Sequence, residues 1–189
     1  MNRGYLQKFQ IKDVVFLAIM SAVALATCAV MPLVISLQPL IFGISQLVTA
    51  LQIGVFFAIG LYKVRKPGSL LIMALMMGLI QLMMSPPMFL SSVLNGVLIE
   101  LIVLLLFRGY EKDAAVFVAA MLHTPLSLPF NYLYNRLIKG ADSPLAAVAD
   151  RAPLAAVGMT LAVVAVSALG ALIGIKIARE LKKSGVLKK

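Results

Sequence analysis

The chain has 189 residues, 62% of them hydrophobic and 13% charged, with a formal net charge of +10 and a mean hydropathy of +1.03. A soluble domain would carry roughly 25% charged residues, and so large an apolar surplus cannot be hidden inside one small core, so lipid must solvate much of it. The length leaves no room for a substantial soluble domain beside a membrane bundle; the clustering of Lys and Arg at the ends of apolar runs argues against nucleic acid as their target; and the single cysteine, Cys28, rules out an intramolecular disulfide framework.

Crossing the hydrocarbon core takes about 20 apolar residues, and six runs approach that length: 14–34, 40–62, 69–84, 88–107, 114–137 and 153–175. The expected fold is an all-α integral membrane protein, a single-domain bundle of about six transmembrane helices. Turn chemistry separates the runs, notably Pro32 and Pro39, the Lys66-Pro67-Gly68 turn, Pro86-Pro87, and residues 139–151 with Gly140 and Pro144. The first run follows Arg3, Lys8 and Lys12 as the apolar core of a signal peptide would, and Leu25-Ala26-Thr27-Cys28 looks like a lipoprotein cleavage box. Thr27 is unusual before such a cysteine and the run stays apolar beyond it, so a retained first helix is expected. Ala18, Ala22 and Ala26 lie four apart on one face of that helix, a flat stripe that lets another backbone approach closely. Packing inside the chain is the commoner use of such a stripe.

The second run carries Gln46, Thr49 and Gln52, and the short third run carries Gln81. The fourth contains Glu100, the one acidic residue deep in a span. Counted from Met88, it sits about 18 Å down a core of about 30 Å. An ionisable group there costs roughly 2.5 kcal/mol or more unless paired, neutralised or wetted, and so points to function. A protonated carboxyl bonded inside the bundle is the alternative. Ser92 and Gly96 precede it at four-residue intervals, leaving room along its face.

The fifth run is the most polar. His123, Ser127, Asn131 and Asn135 recur every four residues, with Tyr134 on the same side, and Pro125 and Pro129 remove backbone donors near the carbonyls of Met121 and Pro125. Irregular backbone at membrane depth is tolerated where it lines a cavity. The stripe therefore suggests a pocket opening outward, against interhelical hydrogen bonding as the alternative. The last run repeats the small-residue device with Gly170, Gly174 and Ala178.

Orientation follows from the basic residues. With the N-terminus inside, only Arg136, Lys139 and Arg151 fall outside, and the other 14 of the 17 fall inside. An odd number of spans would not produce that split, so both ends are expected in the cytoplasm of a multi-pass plasma-membrane protein. The chain has no Gly-x-x-x-x-Gly-Lys-Ser/Thr loop for ATP hydrolysis and no His-Glu-x-x-His or Cys-x-x-Cys spacing for a metal. No cofactor, metal or catalytic residue is expected.

These residues together resemble a family, the substrate-binding S components of energy-coupling factor (ECF) vitamin transporters. The resemblance spans the whole chain in size and layout and is most specific in the Ala18-x-x-x-Ala22-x-x-x-Ala26 stripe. It implies that this stripe docks a transmembrane coupling subunit, that two separate ATPase subunits supply the energy, and that the ligand pocket lies toward the outer face, formed by the loop after the first helix and by the fourth to sixth helices. Within the family, an acid on the fourth helix and a His on the fifth look like the thiamine-type binders, and Arg65-Lys66-Pro67-Gly68 and Asn95-Gly96-Val97-Leu98-Ile99-Glu100 look similar to the S components for thiamine's hydroxymethylpyrimidine precursor. Carried over, the substrate-binding set is Asn95, Glu100, His123, Ser127, Asn131, Tyr134 and Asn135. Two other classes compete: a self-sufficient carrier or channel, and a membrane enzyme using Glu100 and His123 as acid and base.

Overall fold

The structure, a computed structural model, describes residues 8–28, 30, 33–34, 36–140 and 143–187. Among these it is all-helical: α1 (Ile11–Thr27), α2 (Ile44–Val64), α3 (Ser69–Leu82), α4 (Pro86–Phe107), α5 (Asp113–Leu137), α6 (Pro144–Arg151) and α7 (Pro153–Lys183). Local chemistry sets the boundaries. Proline opens α4, α6 and α7 within their first two positions, where its missing N–H goes unused. Gly68 enters α3 at φ 90°, and Arg65 and Arg108 close α2 and α4 in the left-handed region. Pro125 and Pro129 lie inside α5 without ending it.

Four helices, α2, α4, α5 and α7, are long and apolar enough to span a bilayer, and α3 is a shorter apolar helix. With α1 they make the bundle of six. The eight-residue α6 falls in what the sequence reads as a loop at 139–151; it is too short to register as a hydrophobic run. Pro144 starts it, and Asp150 near its end accepts hydrogen bonds from Tyr132 (2.7 Å) and Arg136 (2.9 Å) of α5, folding it back on that helix. The last helix continues eight residues past the apolar run ending at 175. At 1.5 Å per residue it is about 46 Å long, more than the hydrocarbon core, so its basic end emerges from lipid.

α2 is the most enclosed helix, packed against α1, α5 and α7. Its contact with α7 is a backbone-to-backbone approach. Beside Gly170 lies the Leu51 backbone and beside Gly174 the Val55 backbone, so close that a Cβ on either glycine would overlap them. This is the small-residue packing that lets helices associate where lipid supplies no hydrophobic drive between them. The core centres on Leu17, Phe57, Leu61, Met73, Ile99, Val103 and Val116, while Leu105, Leu106, Leu161 and Leu172 point outward, as lipid contact requires.

The end holding both the start of α1 and the end of α7 is tied by charge. Asp113 at the head of α5 receives Arg65 from the end of α2 and Arg179 of α7, the latter at 2.6 Å. Asp13 of α1 pairs with Lys66 at 2.6 Å. The basic residues gathered there mark it as the cytoplasmic face.

Candidate functional site

At the opposite end the helices splay around a cavity of about 640 Å³, within the range of small-molecule sites. Gln38 and Pro39 border it from the segment before α2, Gln46 and Thr49 from α2, and Met77 and Gln81 from α3. Ser91, Ser92 and Asn95 come from α4, and Lys139 and Ser143 from the α5–α6 connection. The polar stripe of α5 lines it along its length, with His123, Thr124, Ser127, Asn131, Tyr134 and Asn135. Six of the seven residues expected to bind substrate therefore share one cavity. The seventh does not.

The expected wall from the last long helix is also absent: no described residue of α7 lines the cavity, and α2 and α3 take its place. α7 packs instead on α2 and α5, with its Gly170 and Gly174 against the α2 backbone.

The lining residues divide into those occupied with the protein and those that are not. Asn135 donates to the Asn131 carbonyl (2.8 Å) and accepts from Ser143 (2.9 Å), pinning the α5–α6 connection. Ser127 donates to the Thr124 carbonyl at 2.7 Å, and Ser92 donates across to the Ala74 carbonyl of α3 at 2.9 Å. His123 is different. It is buried against Phe57, ring centroids 4.4 Å apart, and neither ring nitrogen has a hydrogen-bond partner in the protein. The side-chain oxygens of Asn95 and Thr124 are likewise buried and unpartnered. Leaving such groups unbonded is costly unless a bound molecule satisfies them. Thr124, Ser45 and Lys139 also line the cavity without belonging to the expected substrate-binding set; for Thr124 the available signal was a second polar residue beside His123.

Glu100 corrects the sequence expectation. Its carboxylate lies outside the cavity, toward the cytoplasmic end. One oxygen accepts from the Gly68 N–H (2.6 Å) and the other from the Tyr110 hydroxyl (2.9 Å). It sits where the unbonded N–H groups and positive dipole end of α3 favour an acid. Tyr110, in the connection after α4, is fully buried, and burial together with the adjoining Glu100 pushes its hydroxyl above the ordinary tyrosine range. Counting residues along α4 gives depth from its outer end but cannot tell that α3 starts beside position 100. Arg65–Gly68 and Asn95–Glu100, the two stretches that carried the ligand-class likeness, thus meet in one contact that joins α3 to α4. Glu100 does not line the cavity that His123 lines.

On α1 the buried face is Leu17, Ser21 and Ala24, with Ser21 donating to the Met73 carbonyl at 3.1 Å. Ala22 and Ala26 face outward and Ala18 is half-buried. The alanine stripe is thus not consumed by packing inside the chain.

Residues 11–183 match the family model described as "Hypothetical bacterial integral membrane protein (Trep_Strep)". A solved structure described as "Crystal structure of an S-component of ECF transporter" shares the fold, with a TM-score of 0.64 at 21% identity over 95% of this chain and 89% of that one. No curated protein matches the chain.

Proposed function

The chain belongs to the Trep_Strep family of bacterial integral membrane proteins, and we propose that it acts there as the substrate-binding S component of an ECF-type importer. In this reading it captures a small water-soluble vitamin from outside, of the thiamine class, thiamine or its hydroxymethylpyrimidine precursor. A separate coupling subunit and two ATPase subunits then drive release to the cytoplasm. The observation that carries it is the outer-end cavity with the unbonded His123, Asn95 and Thr124 side chains in its wall, set in a fold like that of an S component. The substrate contacts are Asn95, His123, Ser127, Asn131 and Tyr134, with Asn135 shaping the mouth. The outward-facing Ala22 and Ala26, flanked by half-exposed Val15 and Ile19, would receive the coupling subunit. The thiamine class draws on the likeness of the Arg65–Gly68 and Asn95–Glu100 stretches alone, since Glu100 is spent on α3.

The test is to purify the protein from its own membranes and identify any co-purifying small molecule by mass spectrometry. A thiamine-related compound is expected. Riboflavin, folate or biotin would keep the uptake role and discard the ligand class. ATP-independent uptake by the lone protein in liposomes would replace the S-component role by that of a carrier.

A further inference from the structure

α2 supplies no member of the expected substrate-binding set, yet Ser45, Gln46 and Thr49 line the cavity. Thr49 is engaged within its own helix, where its hydroxyl donates to the Ser45 carbonyl at 2.9 Å. Ser45 is buried and links two amides. Its hydroxyl oxygen accepts from the side-chain nitrogen of Gln38, so its one proton is left for the Gln46 side-chain oxygen, at 2.9 Å. The helix end favours this direction. Gly43 is the N-cap of α2, so Gln46 takes the third helical position. There the positive end of the helix dipole attracts an amide oxygen and repels an amide nitrogen.

What Gln46 keeps for a ligand is its amide nitrogen, two N–H donors with no partner among the described residues. α4 presents the opposite polarity in Asn95, whose side-chain oxygen is buried and unbonded. α2 and α4 each pack on α3 and α5, so they wall the cavity from different sides. A donor on one side and an acceptor on the other discriminate between solutes. A solute with the wrong group at either position leaves a desolvated polar atom unpaired.

Resting on the uptake reading above, we propose that Gln46 is a substrate-binding donor whose orientation Ser45 fixes. The cavity then grips a solute by an acceptor on its α2 side and a donor on its α4 side, and Ser45 is a positioning residue that acts through Gln46. Calorimetry and thermal melting on the full detergent-purified chain test this, with hydroxymethylpyrimidine and thiamine as probes. Gln46→Glu keeps the shape and an oxygen for Ser45 but replaces the donor nitrogen by an acceptor, and Gln46→Met removes the donor without adding charge. Both should weaken binding of whichever probe the unaltered chain takes by about tenfold or more, and Gln46→Glu should leave the thermal midpoint unchanged. Ser45→Ala should weaken binding about threefold or more by itself and no further in the Gln46→Met background, since the two side chains act as one unit. Undiminished binding by Gln46→Glu or Gln46→Met overturns the donor role, and additive losses from Ser45→Ala and Gln46→Met overturn the positioning role. Either result leaves the uptake reading standing. Where neither probe binds, the molecule extracted from the purified protein takes their place: a lower yield from Gln46→Met than from the unaltered chain supports the proposal, and an equal yield overturns it. No extracted molecule and no binding would sink the uptake reading and the proposal together.

Discussion

His123 and Glu100 are buried ionisable side chains on adjacent helices, α5 and α4, with opposite bonding. His123 has no partner for either nitrogen, whereas both Glu100 oxygens are occupied by Gly68 and Tyr110. An unbonded buried group contributes nothing to folding and is available to a ligand; a doubly bonded one contributes to folding and is not. His123→Phe keeps the ring packing on Phe57 and removes the orphaned nitrogens. It should leave the thermal midpoint unchanged or raised while ligand affinity drops about tenfold or more. Glu100→Gln keeps an acceptor for Gly68 but sets an amide against the Tyr110 hydroxyl. It should lower stability by about 1–3 kcal/mol and leave affinity within about twofold. Thermal melting and calorimetry on the two purified variants check both halves, and the reverse pattern would exchange the two roles.

Among the elements, the crossing of α7 over α2 carries the most weight. Gly170 and Gly174 lie against the backbone of α2, and Gly54 of α2 against the backbone at Ser167, with only the Ala58 methyl beside Gly174. Gly174→Leu has no space to occupy short of separating the helices. It should abolish the monodisperse folded peak in detergent size-exclusion chromatography. Gly158, on the same helix with nothing within 4 Å of an added Cβ, is the control. Gly158→Ala should be neutral or stabilising by about 0.5–1 kcal/mol, the ordinary gain from removing a helical glycine.

Over the whole molecule, the two ends differ in kind. The inner end is closed by Asp113 with Arg65 and Arg179, Asp13 with Lys66, and Glu100 with Gly68 and Tyr110. The outer end is open, and among the described residues its cavity is lined by uncharged polar groups and Lys139. Binding and coupling would therefore use separate surfaces. Ala22→Trp, at an outward-facing position of α1, should abolish uptake in cells and co-purification of the coupling subunit. Ligand affinity of the isolated protein should stay within about twofold. Intact uptake in that variant would remove α1 as the docking face.

Much of this was legible without a structure because lipid imposes it. The mean hydropathy and the six apolar runs dictate a membrane bundle, since backbone groups in hydrocarbon must bond within their own helix. The four-residue recurrence from His123 to Asn135 dictates a polar face on α5 by helical geometry alone, and that face does line the cavity. What periodicity cannot supply is the neighbour each face meets. That α3 begins beside Glu100, that α2 rather than α7 walls the cavity, and that α6 folds back on Tyr132 and Arg136 depend on distances between residues far apart in the chain. The sequence by itself determined the solvent, the spans and the polar side of α5; only the tertiary structure decided which buried polar groups were left unbonded, because a side chain's hydrogen-bond partners are fixed by packing between helices.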